Sequence, residues 1–294
     1  MKSIKVVIYG WDGFTCQIPR IKEGMEALGH ILSEDSPDLI YCNDPIEFQK
    51  AINLKKKYQQ AFLILNILDI PWHFPNIDQR IKIWKSLLLQ ADAITTISLK
   101  VKKDLSQLLD KKIYVIYNPI KDVYYDENVK KNNMFLYVGR ANDPIKRIGL
   151  VRESLTKIPD GLKSIKICGS ENPGFGNYLG VVSDQELNKL YNSSKYVYLP
   201  SKAEGIGLTM IEAMICGAVP ITCSDNLTAK EFSPKNFICE PKPQCIADKI
   251  NEINKEYKIN RNLSLEYGKR YKVQFDKKNI AKNIINIFDS RQKI

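Results

Sequence analysis

Histidine is almost absent from this sequence, and its cysteines are not arranged in pairs. Two histidines, His30 and His73, and seven scattered cysteines without a CxxC pair stand among 294 residues. A zinc site needs a cluster of such ligands, and an odd number of cysteines argues against a complete disulfide framework, so we expect neither.

No apolar run reaches the roughly 18 residues that a membrane-spanning helix needs. The short apolar start, Lys5–Tyr9, is not a signal segment, and we expect a cytoplasmic protein.

Positive charge is in excess, and it is concentrated in the second part of the chain. The net charge is +11; residues 1–128 carry 17 basic and 16 acidic side chains, and residues 129–294 carry 27 and 17. A basic surface attracts nucleotides, nucleic acids and anionic lipids alike. Three local basic clusters have two explanations that stay open, a solvated helix face or a peripheral contact with anionic membranes. These clusters are 55–57, 100–103 and 269–272.

Short apolar runs alternate with amphipathic segments twice along the chain. This alternation is typical of a parallel sheet covered by helices on both faces. The predicted strands are 5–9, 38–42, 61–66, 93–97 and 113–116, and then 135–138, 164–168, 178–182, 196–199, 219–222 and 237–239. The polar stretch Lys121–Asn133 is interpreted as a linker. We therefore predict an α/β chain with two Rossmann-like domains, 1–125 and 126–275, and a last helix, 276–294, that packs back on the first. Such sheets bind ligands at the carboxyl ends of their strands.

The segment from Leu199 to Met214, LPSKAEGIGLTMIEAM, carries the most chemical information. A strand ends at Leu199, a glycine-containing loop follows, and a helix begins near Gly207. The N–H groups of this loop and the positive end of the helix dipole form a site for an anion such as a diphosphate. Glu204 and Glu212 stand eight positions apart. Because an unpaired charge is costly in the apolar surroundings of Glu212, both carboxylates are candidate ligand-binding groups.

This E-x7-E spacing resembles the motif of retaining glycosyltransferases of the GT-B fold. The surrounding residues, YLPSKAEGIGLTMIEAMICGAVPIT, resemble family GT4, the glycosyl transferases group 1. The resemblance implies two Rossmann-like domains facing across a cleft. It also implies a hexosyltransferase that moves a sugar from a UDP- or GDP-sugar to a hydroxyl acceptor, with Glu204 on the sugar hydroxyls and Glu212 on the ribose. Further donor contacts are implied along the loop: Gly205, Ile206, Gly207, Leu208 and Thr209.

A second motif that resembles the same family is Val138-Gly139-Arg140, followed by Lys146 and Arg147. Arginine binds phosphate oxygens with a fork of donors, and lysine supplies a point charge. The resemblance implies that Arg140 and Lys146 hold the donor diphosphate beside Gly139. Arg147 is the alternative to Lys146 in this role. The resemblance also implies that these cations stabilise the charge of the departing group and that no metal ion or other cofactor is needed.

Four further positions match the family less specifically. Gly169 lies beside the nucleoside and Val182 in the segment that contacts the base, although ordinary turn chemistry explains the same pattern. Gly13 matches a glycine loop near donor and acceptor. His73 matches a residue near the transferred sugar, and a structural hydrogen bond in its loop is an equal alternative.

Two other functions stay open at the level of sequence. A sugar-nucleotide epimerase shares the GT-B fold, but the E-x7-E segment disfavours it. A non-catalytic, basic nucleic-acid-binding protein fits the charge, but no aromatic-interleaved basic motif supports it and no nucleic-acid partner is expected. The acceptor, whether lipid-linked, glycan or protein, stays open because the first half is short and lacks elements that shape the acceptor pocket in the family.

Overall fold

A computed structural model of the chain describes residues 2–10, 17–68, 77–159 and 164–291. The chain divides into two compact units, Met1–Ile120 with Gln274–Ile294, and Lys121–Val273. Each unit is built on one parallel six-stranded sheet with helices packed on it. The expected fold class, α/β with two Rossmann-like domains, is confirmed. The sequence predicted divisions at residues 125 and 276, and the structure has them at 120 and 274.

The first unit has short, apolar strands. They are β1 (Lys5–Tyr9), β2 (Ile31–Leu32), β3 (Leu39–Cys42), β4 (Phe62–Ile67), β5 (Ala93–Thr96) and β6 (Ile113–Val115). The helices described between them are α1 (Gln17–Ala27), α2 (Phe48–Lys57), α3 (Ile77–Leu88) and α4 (Leu99–Leu105). The sheet order is β2-β1-β3-β4-β5-β6, and all pairs are parallel. Every residue of β3 and β5 is buried because helices cover both faces of the sheet.

The second unit repeats this construction. Its strands are β7 (Asn132–Val138), β8 (Ser164–Cys168), β9 (Asn177–Gly180), β10 (Ser194–Leu199), β11 (Val219–Cys223) and β12 (Ile238–Cys239). Its helices are α5 (Ile148–Leu155), α6 (Asp184–Ser193), α7 (Leu208–Ile215), α8 (Leu227–Phe232), α9 (Pro243–Lys255) and α10 (Tyr257–Gln274). The order β12-β11-β10-β7-β8-β9 reverses direction between β7 and β10. In open parallel sheets, ligands bind outside the carboxyl ends of the strands at such a reversal.

The chain returns to the first unit through α11 (Lys277–Ser290). Asp276 caps this helix by accepting hydrogen bonds from the backbone N–H groups of residues 278 and 279. Ile280, Ile284 and Phe288 on its apolar face are buried in one cluster with residues of β1 and α1. The hydrophobic spacing of α11 therefore serves the core of the first unit.

The segment predicted as a linker, Lys121–Asn133, is bound to α6. Lys121 Nζ lies 2.5 Å from a carboxylate oxygen of Asp184. The buried Tyr124 donates a hydrogen bond of 3.2 Å to the same carboxylate. Asn188 accepts a hydrogen bond from a backbone N–H of the segment. Side-chain bonds of this kind leave no hydrophobic period in the sequence, so the pattern could not show them.

His30 is a buried titratable group of the first unit. It is 5% exposed, and among the described residues neither ring nitrogen has a hydrogen-bond partner. Burial lowers the pKa of His30 below its ordinary value of 6.5, and the carboxylate of Asp289 offsets part of this effect. Protonation of the ring in the folded chain is therefore unfavourable.

We expect His30 to make the chain less stable in mild acid. Because the pKa is lower in the folded than in the unfolded chain, the unfolded chain binds more protons as the pH falls through about 6.5. The free energy of unfolding should therefore decrease between about pH 7.5 and pH 5.5, and His30→Phe should show a smaller decrease. Urea unfolding of both chains at both pH values tests this, and equal decreases would contradict it.

Candidate functional site

The carboxyl ends of β7 and β10 lie side by side at the reversal of the second sheet. Tyr137 of β7 and Tyr198 of β10 are register partners, so the loops that follow both strands leave the sheet at the same edge. The first loop carries Arg140 and Lys146, and the second carries Glu204. The fold thereby brings together two predicted motifs whose charged residues, Lys146 and Glu204, are 58 positions apart in the sequence.

Lys146 and Glu204 form an ion pair between the loops that follow β7 and β10, a region that we call the crevice. The Nζ atom of Lys146 lies 2.5 Å from Oε1 of Glu204, and the two side chains are 21% and 14% exposed. Lys146 ends a single 3-10 turn, Pro144–Lys146, which Asp143 caps by accepting the N–H of Ile145. The two side chains expected to meet the diphosphate and the sugar are therefore within reach of one ligand.

Arg140 is the more exposed cation of the first loop. Its side chain is 58% exposed, and Nη2 lies 2.6 Å from a carboxylate oxygen of Asp143. The next backbone N–H, of Ala141, donates to the carboxylate of Glu171 over 3.0 Å. Exposed ion pairs contribute little to stability, so a phosphate group can compete with Asp143 for Arg140.

Gly139 and Gly169 are in direct backbone contact. A Cβ atom on Gly169 would lie 2.1 Å from the carbonyl oxygen of Gly139, far inside van der Waals distance. The N–H of Gly139 donates to the carbonyl of Cys168, and the N–H of Gly169 donates to that of Gly180, each over 3.0 Å. Packing of the turn before Arg140 therefore requires glycine at 169. The predicted donor contacts of these two glycines stay predictions.

Arg147 is engaged by other parts of the second unit. Its Nε donates to the carbonyl of Pro200 over 2.6 Å, and Nη1 and Nη2 each lie 2.8 Å from a carboxylate oxygen of Asp225. Its backbone is in the left-handed region, with φ 49°. The residue predicted as a substitute phosphate ligand thus donates to protein acceptors through three of its five N–H groups.

The loop after β10 leads into α7 through a left-handed residue. Gly207 has φ 73°, a conformation that glycine adopts without strain, and α7 begins at Leu208. The first N–H groups of a helix have no partner inside the helix, so those around Leu208 and Thr209 are suited to an anion. Ile206 is buried and anchors the loop, while Gly205 is half-buried.

Glu212 lies in α7 and is held by a tyrosine from α6. The hydroxyl of Tyr191 donates to Oε2 of Glu212 over 3.0 Å. Burial, followed by the charge of Glu212, raises the pKa of Tyr191 far above its ordinary value. Tyr191 therefore stays protonated and serves as a donor that orients the carboxylate.

The remaining predicted residues are less closely connected to this crevice. Val182 is half-buried in the turn between β9 and α6. Gly13 and His73 lie outside the described residues. The sequence did not point to Asp225 or Tyr191, because each acts through a partner that is distant in the chain. Asp143 was also missed, although an Asp–Pro pair is a local turn signal that could have indicated it.

Residues 176–271 match the model of a family described as glycosyl transferases group 1. O-antigen chain mannosyltransferase B of Escherichia coli is 46% identical over 52 residues, which cover 18% of this chain and 13% of that protein. O-antigen chain mannosyltransferase RfbU of Salmonella typhimurium is 29% identical over 149 residues, covering 45% of this chain and 42% of that protein. The chain thus aligns with less than half of the length of either relative.

Two solved structures extend the likeness to nearly the whole chain. Anabaena Alr3699/HepE, crystallised in complex with UDP and glucose, has a TM-score of 0.81 at 16% identity, covering 98% of this chain and 100% of that one. A glycosyltransferase from Rickettsia africae ESF-5 has a TM-score of 0.75 at 16% identity, covering 100% of both chains. The expected GT-B fold is confirmed. The matched family segment contains Glu204 and Glu212.

Proposed function

We propose that this chain is a retaining glycosyltransferase of family GT4, which transfers a sugar from a nucleoside diphosphate sugar to a hydroxyl acceptor. The observation that carries this proposal is the crevice at the carboxyl ends of β7 and β10. There Lys146 pairs with Glu204 in the loop before α7, and Arg140 lies in the same loop as Lys146. Two cations, a carboxylate and a helix N-terminus at one sheet edge suit a ligand with both phosphates and sugar hydroxyls.

Each part of the donor has a group of matching chemistry. The diphosphate would meet Arg140, Lys146 and the N–H groups at the start of α7. The sugar hydroxyls would donate to Glu204, and the ribose hydroxyls to Glu212. Lys146 exchanges the carboxylate of Glu204 for a phosphate oxygen when the donor binds, which leaves Glu204 to accept hydrogen bonds from the sugar.

Charge stabilisation would supply most of the catalysis. The bond between the sugar C1 and the phosphate oxygen breaks, and a bond from C1 to the acceptor oxygen forms on the same face. The departing diphosphate takes up the acceptor proton, while Arg140 and Lys146 stabilise its negative charge. Since these two side chains supply positive charge, we expect transfer to proceed in EDTA without a divalent metal ion.

A UDP-linked donor is the first to test. HepE, which shares the fold, binds UDP and glucose in its crystal structure. The decisive experiment is a thermal-shift panel with UDP, GDP, ADP and CMP, because a ligand that binds only the folded chain raises its stability. Transfer of radiolabelled sugar from the matching donor, measured in EDTA, then tests the reaction. Nucleotide binding with sugar epimerisation but no transfer would favour an epimerase, and duplex binding without nucleotide binding would favour the nucleic-acid alternative.

Glu212→Gln should weaken nucleotide binding about tenfold, because it removes a charge-assisted hydrogen bond to the ribose. Glutamine keeps the side-chain shape and an acceptor for Tyr191, so the fold should be preserved. Calorimetry with UDP and with 2′-deoxy-UDP tests this, and the loss should be smaller for the deoxy ligand. Glu252→Gln on the exposed face of α9 is the control. Unchanged UDP affinity in folded Glu212→Gln would contradict the assignment.

We also propose a peripheral contact with anionic membranes, which would suit a lipid-linked acceptor. Lys56, Lys57 and Lys103 are exposed on α2 and α4, whereas Lys55 pairs with Asp92 and is not available to lipid headgroups. Among the described residues, no helix is long and apolar enough to cross a bilayer. Each basic residue near an anionic surface contributes about 1 kcal/mol. Co-sedimentation with phosphatidylserine vesicles should therefore occur at low salt and decrease at high salt, and its absence at low salt would contradict the contact.

A further inference from the structure

The guanidinium of Arg147 joins three segments of the second unit that are far apart in the sequence. Arg147 itself precedes α5, Pro200 begins the loop after β10, and Asp225 follows β11. Nε donates to the Pro200 carbonyl over 2.6 Å, and the two terminal nitrogens form a bidentate pair with Asp225, each over 2.8 Å. Bidentate pairs of this kind fix geometry as well as charge.

The loop after β10, which carries Glu204, is held at two further points. The backbone N–H of Lys202 donates to the carbonyl of Ile145 over 2.8 Å. The hydroxyl of Thr228 donates to the carbonyl of Glu204 over 2.6 Å, and Thr228 is 1% exposed. The backbone on either side of the Glu204 side chain is therefore anchored, at Pro200 by Arg147 and at residue 204 itself by Thr228.

These contacts make the guanidinium of Arg147 less available to a phosphate group than that of Arg140. The Arg147 side chain is 19% exposed and its left-handed backbone aims it at its two acceptors, whereas the Arg140 side chain is 58% exposed. To bind the Arg147 guanidinium with two hydrogen bonds, a phosphate group would have to displace Asp225 or release the Pro200 carbonyl. The loop that carries Glu204 would then lose its anchor at the moment when the sugar has to be held.

We propose that Arg147, Asp225 and Thr228 are positioning residues that hold Glu204 for the donor sugar, and that Arg147 is not a phosphate ligand. This inference rests on the proposed function, in which Glu204 binds sugar hydroxyls. The inference assigns the binding of the nucleoside diphosphate and the binding of the sugar to different residues. Affinity for the nucleoside diphosphate depends on Arg140 and Lys146, and the additional affinity for the attached sugar depends on the anchored loop.

The test compares UDP with UDP-glucose on Arg147→Lys, Asp225→Asn, Thr228→Val and the double variant Arg147→Lys/Asp225→Asn. We expect the affinity for UDP, measured by calorimetry, to stay near that of the wild type. The affinity for UDP-glucose should decrease about tenfold in each single variant, and the double variant should be no worse than the Arg147 single variant because Asp225 acts on the loop only through Arg147. Asp126→Asn, which breaks an Arg–Asp pair with Arg261 elsewhere in the unit, is the matched control and should change neither affinity.

The alternative role of Arg147 predicts the opposite pattern. If Arg147 bound phosphate, Arg147→Lys would lower the affinities for UDP and UDP-glucose equally, and Asp225→Asn would free the guanidinium and strengthen UDP binding. Either result would overturn the positioning role.

Hydrogen exchange of the peptide 200–207 gives a readout that needs no ligand. The backbone amides of this peptide should exchange faster in Asp225→Asn and Thr228→Val than in wild type or Asp126→Asn. Unchanged exchange would overturn the inference. If neither UDP nor UDP-glucose binds the wild type while exchange rises as expected, the anchored loop stands and the proposed donor is wrong.

Discussion

Replacing Lys146 with methionine should lower kcat by about two to three orders of magnitude, because a preorganised charge on the departing group is lost. Methionine keeps much of the apolar stem but removes the ammonium that lies 2.5 Å from Glu204. The binding of UDP should weaken less than turnover falls, since negative charge on the phosphate increases as the sugar leaves. Steady-state kinetics with the donor selected by the nucleotide panel measures both effects.

A matched ion pair elsewhere in the second unit controls for general effects of charge removal. Lys249 on α9 lies 2.6 Å from Glu252, and its side chain is 18% exposed, close to the 21% of Lys146. Lys249→Met should leave kcat unchanged. Urea unfolding of both variants shows whether the loss of a partner for Glu204 disturbs the fold. A folded Lys146→Met chain that turns over within about threefold of the wild type would exclude Lys146 from the phosphate site.

Gly169→Ala should destabilise the second unit by about 3 kcal/mol, at the upper end of the range for overpacking. The added Cβ would lie 2.1 Å from the backbone oxygen of Gly139, and backbone cannot rotate away as a flexible side chain can. The turn before Arg140 has to move, so UDP affinity should fall together with stability. Urea unfolding and calorimetry measure the two effects.

Gly149 is a suitable control for the glycine change. A Cβ atom there has no atom within 4 Å, and the residue is exposed in α5. Gly149→Ala should leave UDP affinity unchanged and increase stability by up to about 1 kcal/mol, because alanine has the higher helix propensity. If Gly169→Ala unfolds at the same urea concentration as the wild type, the contact with Gly139 is not restrictive.

The elements with a clear hydrophobic period could be predicted from the sequence, and two short ones could not. The strand Ser164–Cys168 has the predicted bounds, and the last helix, predicted over 276–294, is observed at Lys277–Ser290. The two-residue strand Ile31–Leu32 and the six-residue helix Leu227–Phe232 were missed. Neither is long enough to show a hydrophobic repeat. Ile31–Leu32 pairs with β1, and Leu227–Phe232 begins after Asn226, which caps it.

In the candidate site, too, some residues could be predicted from the sequence and others could not. Glu204 and Arg140 stand in recognisable motifs, and parallel strand order explains why their loops meet. The role of Arg147 was not accessible in this way, because a cation that binds phosphate and one that anchors a loop look alike in a sequence. What distinguishes them is an acceptor 78 positions away, the carboxylate of Asp225.

The return of α11 to the first unit affects the order in which the nascent chain can fold. Six residues of α11 share one buried cluster with Val6, Ile8 and Ile21, so a growing chain that ends before Lys277 exposes that apolar surface. The second unit is contiguous from Lys121 to Val273 and has all six strands of its sheet. We therefore expect the middle of the chain to finish its core first on the ribosome. The strands of the first unit, although synthesised before the second unit, then complete their core after it, and ribosome-associated chaperones would meet them for the longer time.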